Sequence, residues 1–184
     1  MFEGGLFMLA MKLSHRALRL AILGGVYGHE LFHTHYYFPH SPEELKRIDC
    51  IPKVALKSCK KFGENVCHSG PQTINEDGPD IDGLRLAYSV YKDQYERDFK
   101  KRVYDDIDMN FNQAFFVSYA ALWCGEADYK GIEGNLGDSH SPEPARINMI
   151  FSQIPAFKEA FQCENTDRMV EEEQCHVFGD LLRR

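Results

Sequence analysis

Residues 18–33 read Leu18-Arg19-Leu20-Ala21-Ile22-Leu23-Gly24-Gly25-Val26-Tyr27-Gly28-His29-Glu30-Leu31-Phe32-His33. Leu18, Ile22, Val26 and His29 fall at i, i+4, i+8 and i+11, one face of a helix with a period of 3.6 residues. This spacing predicts a helix over residues 14–34. Gly24, Gly25 and Gly28 each lower helix propensity by about 1 kcal/mol relative to alanine. Close approach of a neighbouring element would compensate, so the helix is expected to be buried.

The end of this stretch carries chemistry. His29-Glu30-Leu31-Phe32-His33 is an H-E-x-x-H motif. Histidines four apart on a helix project from one face a turn apart, so both imidazoles can bind a single zinc ion. Glu30 lies about a third of a turn round, where its carboxylate can reach a zinc-bound water without ligating the metal. Zinc brings that water's pKa to about 7, and the glutamate can take its proton as the water attacks a carbonyl. The competing reading is a helix with two surface histidines.

A catalytic zinc needs a third protein ligand and an open fourth position. Downstream, Glu76 and Asp80 stand four apart near the start of a second predicted helix. One could ligate zinc while the other accepts a hydrogen bond from a ligand histidine's second ring nitrogen. Acidic residues also simply favour helix N-termini, and the spacing alone leaves both readings open.

Further outward the pattern is mainly helical. A short helix is expected after Ser41-Pro42-Glu43. A long one runs from Pro79 or Asp80 to about Tyr104, with Leu84, Tyr88, Tyr91 and Tyr95 as its apolar stripe. A third covers 110–124, with Phe115, Phe116, Tyr119 and Trp123 on it. Two shorter helices, 142–153 and 155–163, each open on a proline suited to a first turn. Residues 125–139 read as a glycine-rich loop. Only 1–9 and 51–56 read as strand. The class is therefore mainly α with a small β component.

The 184 residues, 43% hydrophobic and 27% charged, suit one soluble globular domain spanning 1–184. A net charge of -7 gives no electrostatic drive toward phosphates, so nucleic acid is not an expected partner. The basic run from Lys53 to Lys61 reads as a solvated face. Residues 6–28 are fairly apolar, but Lys12, His15, Arg16 and Arg19 interrupt them, so neither a signal peptide nor a transmembrane segment is expected in this chain. Six cysteines (Cys50, Cys59, Cys67, Cys124, Cys163, Cys175) lack C-x-x-C spacing, which disfavours a zinc ribbon and fits disulfides in an oxidising compartment.

Five segments in order, covering about Phe2 to Phe178, resemble the neprilysin family of zinc peptidases, which includes the endothelin-converting enzymes. Gly28-His29-Glu30-Leu31-x-His33 resembles that family's zinc helix. Glu76-Asp77-Gly78-Pro79-Asp80-x-x-Gly83-Leu84-x-Leu86-Ala87-Tyr88 resembles its E-N-x-A-D-x-x-G-L-x-x-A-Y segment. Phe115-Phe116-Val117-Ser118-Tyr119-Ala120-x-x-Trp123-Cys124 is similar to F-F-x-x-F-A-x-x-W-C. Asp138-Ser139-His140-Ser141-Pro142-x-x-x-Arg146-x-Asn148 is similar to D-x-H-S-P-x-x-x-R-x-N. The stretch Phe157-x-x-Ala160-Phe161-x-Cys163, then Cys175-His176-Val177-Phe178, resembles the family's ending.

The resemblance implies a thermolysin-like C-terminal catalytic lobe holding one Zn2+ ion through His29, His33 and Glu76. Glu30 would act as the base, and Asp80 would orient a ligand histidine. His140 would donate to the oxyanion, a contact often worth about 3 kcal/mol. Arg146 would hold a substrate carbonyl or carboxylate. His40-Ser41-Pro42-Glu43 repeats the local pattern around His140, and only the family motif selects His140. The implied activity is a zinc-dependent metalloendopeptidase that hydrolyses short peptides through zinc-activated water, at the extracellular side of the plasma membrane or secreted. The resemblance also implies a Cys50–Cys175 disulfide, and partners for Cys124 and Cys163 in an N-terminal region; Cys59 and Cys67 could pair together.

Three departures bear on this. No counterpart of the family's roofing N-terminal domain, or of its N-A-[YF]-[YF] segment, is read in the chain. The stretch from His33 to Glu76 is some ten or more residues short, which could keep Glu76 from the metal and leave His35 or His40 to substitute. Pro79 cannot bond back to Asn75 and disfavours α geometry at Gly78, which places Glu76 at a helix edge. The alternative function is therefore a truncated, inactive relative that serves as a zinc-binding or peptide-binding module.

Overall fold

The computed structural model describes residues 13, 15–38, 40–62, 70–124 and 138–178. Seven α-helices lie among them: α1 (Arg16–Tyr36), α2 (Pro42–Ile48), α3 (Cys50–Phe62), α4 (Gly70–Tyr95), α5 (Phe111–Ala120), α6 (Glu143–Ser152) and α7 (Pro155–Phe161). Two short strands, β1 (Arg102–Tyr104) and β2 (Ile107–Asn110), form an antiparallel hairpin with Arg102 opposite Asn110 and Tyr104 opposite Ile107. The mainly α class with a small β component is therefore the observed one, although its strands lie elsewhere than expected. Residues 51–56 belong to α3: Ile51, Val54 and Ala55 recur at helical spacing, and Ile51 is fully buried. The other expected strand, 1–9, lies outside the described residues, as does most of the 125–139 loop.

The short helices follow their caps. Ser41 and Glu44 close a capping box on α2, with Glu44 N donating to Ser41 Oγ at 3.2 Å and Ser41 N to Glu44 Oε2 at 2.8 Å. Asn110 and Gln113 do the same for α5. Pro155 takes the first position of α7, while Pro142 stands as the N-cap of α6.

The long second helix departs from expectation at both ends. It begins at Gly70 rather than near Pro79, and it stops at Tyr95 before a 3-10 turn and the hairpin. Pro79 is therefore well inside α4 instead of in its first turn. Two facts of packing explain its tolerance. A Cβ on the preceding Gly78 would stand 2.2 Å from the Tyr36 ring, so only glycine admits that contact with α1. The helix also buries Ile81, Leu84, Ala87 and Tyr91 on one side, and such burial outweighs one missing backbone bond.

Helix α1 packs along α4 more extensively than any other described pair. At the crossing, a Cβ on Gly28 would meet Gly83 O at 2.4 Å, and one on Gly83 would meet His29 N at 2.4 Å. Backbone lies on backbone there. The expectation of a buried, glycine-lined helix holds at this seam. The first half of α1 enters a core with Leu84, Tyr91, Phe115, Phe116, Met149 and Ile150; Phe32 and Tyr36 enter a second with Ile51, Val177 and Phe178. His29 and His33 lie between the two.

The second core is fastened by the expected Cys50–Cys175 disulfide, which ties the start of α3 to the C-terminal segment. Arg85 donates to Asp82 Oδ1 at 3.3 Å, to Gln153 O at 2.6 Å and to Cys175 O, while Tyr36 donates its hydroxyl to Asp82 Oδ2 at 2.9 Å. Cys124 and Cys163 are free thiols. Cys59 is disulfide-bonded, and Cys67 lies outside the described residues.

Candidate metal and catalytic site

Three elements deliver the site. From α1 come His29 and His33, one turn apart, with ring centroids 4.4 Å apart and edge-on to each other. From α4 comes Glu76, only 5% exposed. The segment before α6 brings His140. His29 Nε2 lies 3.3 Å, His33 Nε2 3.5 Å and His140 Nε2 3.2 Å from one atom, Glu76 Oε2. The short His33–Glu76 connection thus does not keep Glu76 away, because the α1–α4 seam sets the separation. His35 and His40 instead pack around Phe178.

The fit to a metal can be tested on these atoms. Zinc bonds to imidazole nitrogen and carboxylate oxygen of about 2.0–2.2 Å place tetrahedral ligand atoms roughly 3.3–3.5 Å apart. The 3.3 and 3.5 Å separations of the two histidine nitrogens from Glu76 Oε2 match that edge. Glu76 Oε2 is buried and has no aligned hydrogen-bond partner. Buried carboxylate oxygens are seldom left so, and a cation would satisfy this one. Among the described residues, His29, His33 and Glu76 are the one group of histidine, cysteine and acidic side chains whose ligand atoms converge in this way.

The surrounding charges prepare the donors. Asp80 is buried beside His29, with Oδ1 2.7 Å from Nδ1. Burial pushes the Asp80 carboxyl up, but the Arg146 guanidinium and His29 together outweigh it and bring the pKa down to about 2. Arg146 donates through Nε to Oδ2 at 2.6 Å and through Nη2 to Oδ1 at 2.7 Å. An ionised carboxylate only accepts, so the Nδ1 proton belongs to His29 and Nε2 is the atom turned toward Glu76. Burial opposes charge on His29, yet its contacts with Asp80 and Glu76 win and raise the pKa to about 9. Without a metal the ring holds both protons at neutral pH, and a metal would take the place of the Nε2 proton. Burial and the neighbouring His29 charge lower the pKa of His33. Burial raises that of Glu76, but His29, His140 and His33 together pull it down.

A cavity of about 250 Å³ opens beside these residues, with Glu30, Tyr119, Trp123, His140 and Arg146 among those lining it. Glu30 is exposed, on the same turn as His29. The His140 ring receives Asp138 Oδ1 2.8 Å from Nδ1, and Asp138 also accepts from the His140 backbone N at 2.9 Å. Arg146 has both its Nε and Nη2 committed to Asp80 and lies 4.0 Å over the Trp123 ring. Asp138 and Trp123 belonged to recognised motifs but had no assigned role. Asp138, two residues before His140, carried a local signal; no spacing could have placed Trp123 beneath Arg146. A larger groove of about 630 Å³ near Cys163 and Met169 carries no histidine.

Residues 44–177 match the profile of Peptidase family M13, a span that includes Glu76, Asp80, His140 and Arg146 and begins beyond His33. Neprilysin-3 of Drosophila melanogaster is 29% identical over 181 residues, covering 89% of this chain and 23% of its own. Endothelin-converting enzyme 1 of Cavia porcellus is 28% identical over 183 residues, covering 90% of this chain and 24% of its own. The Mycobacterium tuberculosis zinc metalloprotease Zmp1, solved with an inhibitor, shares the fold at a TM-score of 0.66 and 20% identity, over 89% of this chain and 28% of that one. The chain thus spans about a quarter of the length of the curated relatives it matches.

Proposed function

The chain belongs to Peptidase family M13, and from that premise we propose that it is a zinc-dependent metalloendopeptidase acting on short peptides, with one zinc ion held by His29, His33 and Glu76. M13 metallopeptidases use zinc. The observation that carries the ligand set is the convergence of the His29 and His33 Nε2 atoms on the buried Glu76 Oε2, at 3.3 and 3.5 Å, the spacing of zinc ligands. Bound zinc supplies Lewis acidity that brings water's pKa to about 7.

The remaining steps belong to side chains. Glu30, at the cavity wall, takes the proton of the attacking water and passes it to the leaving amine. His140 donates from its ring to the oxyanion of the tetrahedral intermediate, and Asp138 Oδ1, 2.8 Å from Nδ1, orients that ring. Asp80 keeps His29 turned toward the metal, with Arg146 keeping Asp80 ionised. The third Arg146 nitrogen, Nη1, is the one left for a substrate carbonyl or carboxylate. The Cys50–Cys175 disulfide fits an oxidising compartment, and with the family resemblance it supports action outside the cell. No helix among the described residues is long and apolar enough to cross a membrane.

The test compares the wild type with Glu76→Gln and Glu30→Gln for zinc content and peptide turnover. One zinc per chain is expected in the wild type and in Glu30→Gln, with turnover lost in the latter. Glu76→Gln should bind zinc far more weakly. Zinc content indifferent to Glu76 would overturn the ligand set, and turnover surviving in Glu30→Gln would overturn the mechanism.

A further inference from the structure

Asp77 follows the proposed ligand Glu76 and is completely buried. Its Oδ2 accepts two hydroxyl bonds, from Thr73 Oγ1 one helical turn back at 2.6 Å and from Ser141 Oγ at 3.1 Å. Its Oδ1 is also buried and has no hydrogen-bond partner. A buried carboxyl half left without partners is a costly way to fill a helix face, and an apolar side chain of similar size would stabilise the helix better. What Asp77 does, and an apolar residue could not, is reach the segment that carries His140. That ring is 48% exposed, so packing does not hold it in place. Among the described residues, hydrogen bonds fasten its segment to α4 on either side of His140: Gln72 Nε2 donates to Asp138 O at 2.7 Å, and Ser141, only 8% exposed, donates to Asp77. The second is the buried one. Helix α4 therefore presents Glu76 to the histidines of α1 and, one residue on, anchors the residue after His140.

We propose that Asp77 is a positioning residue, whose carboxyl docks Ser141 and thereby sets the distance of the His140 ring from Glu76. The inference rests on the reading of His140 as the oxyanion donor. A donor displaced by a few tenths of an ångström still permits substrate binding but stabilises the transition state less, so the effect falls on kcat rather than on KM.

The decisive variants are Ser141→Ala, which removes one hydroxyl, and Asp77→Asn, which keeps an acceptor oxygen for it. They are measured for zinc affinity, for kcat and KM, and for the nitrogen NMR resonances of His140, assigned by their loss in His140→Gln. Ser141→Ala should lower kcat about tenfold, the scale of one lost hydrogen bond, with KM and zinc affinity unchanged and the His140 resonances shifted or broadened. Asp77→Asn should return most of kcat and the wild-type resonances. Unmoved resonances and kcat in Ser141→Ala would overturn the proposal. So would a parallel loss of zinc, because the hydroxyl would then serve the ligand helix instead of His140. A wild type without turnover would sink the peptidase reading alone, and the NMR comparison would still decide the positioning.

Discussion

Replacing Gly83 by alanine tests whether the α1–α4 seam builds the candidate metal site. The added Cβ would lie 2.4 Å from His29 N, 2.6 Å from Gly28 C and 2.8 Å from His29 Cα, all backbone atoms of α1 that no rotamer change can move. Ordinary contact requires about 3.5–4.0 Å, so the helices must part by roughly 1 Å. That displacement is several times the tolerance of about 0.2 Å on a metal–ligand distance, and it acts between His29 and Glu76, which stand on opposite sides of the seam. Overpacking costs about 1–3 kcal/mol, from which about 1 kcal/mol of gained helix propensity is recovered. A net loss of about 0–2 kcal/mol in stability follows from the same figures, and zinc affinity should fall by more than about tenfold, as for disturbed ligand support. Gly24→Ala is the control: its Cβ would meet Ala87 Cβ at 3.4 Å, an ordinary contact, so it should bind zinc normally and be slightly stabilised. Denaturant unfolding and zinc titration against a chromogenic chelator read both quantities. If Gly83→Ala proved more stable than the wild type and bound zinc as tightly, the seam would not be what spaces the ligands.

Asp80→Asn should strand the Arg146 charge in a buried site and release the His29 tautomer, costing about 3–5 kcal/mol and weakening zinc about 10–100-fold; chemical denaturation and zinc titration would show both, and Arg146→Met should be tolerated better in the Asp80→Asn background than alone. Burial raises the Glu171 carboxyl, but Lys57 and Lys61 outweigh it and hold its pKa below the ordinary value. Its folded pKa is thus depressed, so its contribution is present above the unfolded carboxylate value of about 4.3 and is lost as pH falls through the folded one. Glu171→Gln should therefore lower stability by about 0.5–1 kcal/mol at pH 7, and the gap in urea midpoints should narrow as the pH falls below the ordinary carboxylate range; a gap as wide in acid would refute the pairing. Removing the Cys50–Cys175 bridge, which closes a loop across 125 residues, should cost about 2–5 kcal/mol in thermal unfolding, whereas blocking the free Cys124 and Cys163 thiols should leave the melting temperature unchanged.

Much of this molecule was legible in its residues because the information was local. The i, i+4 spacing of His29 and His33, the Ser41-Pro42-Glu43 start of α2 and the proline at the start of α7 each act within a turn or two of chain, and each element formed where its pattern placed it. The alternation of long α4 with the hairpin was not legible. A run such as 96–104 contains no glycine or proline to mark a break, and Val103 becomes a strand residue only because the hairpin folds back onto α5. Pro79 likewise marked a helix start by every local rule, and only tertiary packing, of Tyr36 on Gly78 and of the buried face from Ile81 to Tyr91, shows why the helix runs through it.

The candidate site divides along the same line. The sequence by itself named the candidate side chains: two histidines a helical turn apart with a glutamate between them, and two further carboxylates four apart downstream whose roles, like those of His140 and Arg146, came only from the family resemblance. Only the tertiary structure decided that Glu76 comes within 3.5 Å of both ring nitrogens, that Asp80 takes Arg146 as well as His29, and that Asp77 reaches Ser141. Those are contacts across 43 to 66 residues; the ones between α1 and α4 are set by how closely Gly28 and Gly83 let two helix backbones approach, and a separation in space of that kind has no counterpart in spacing along the chain.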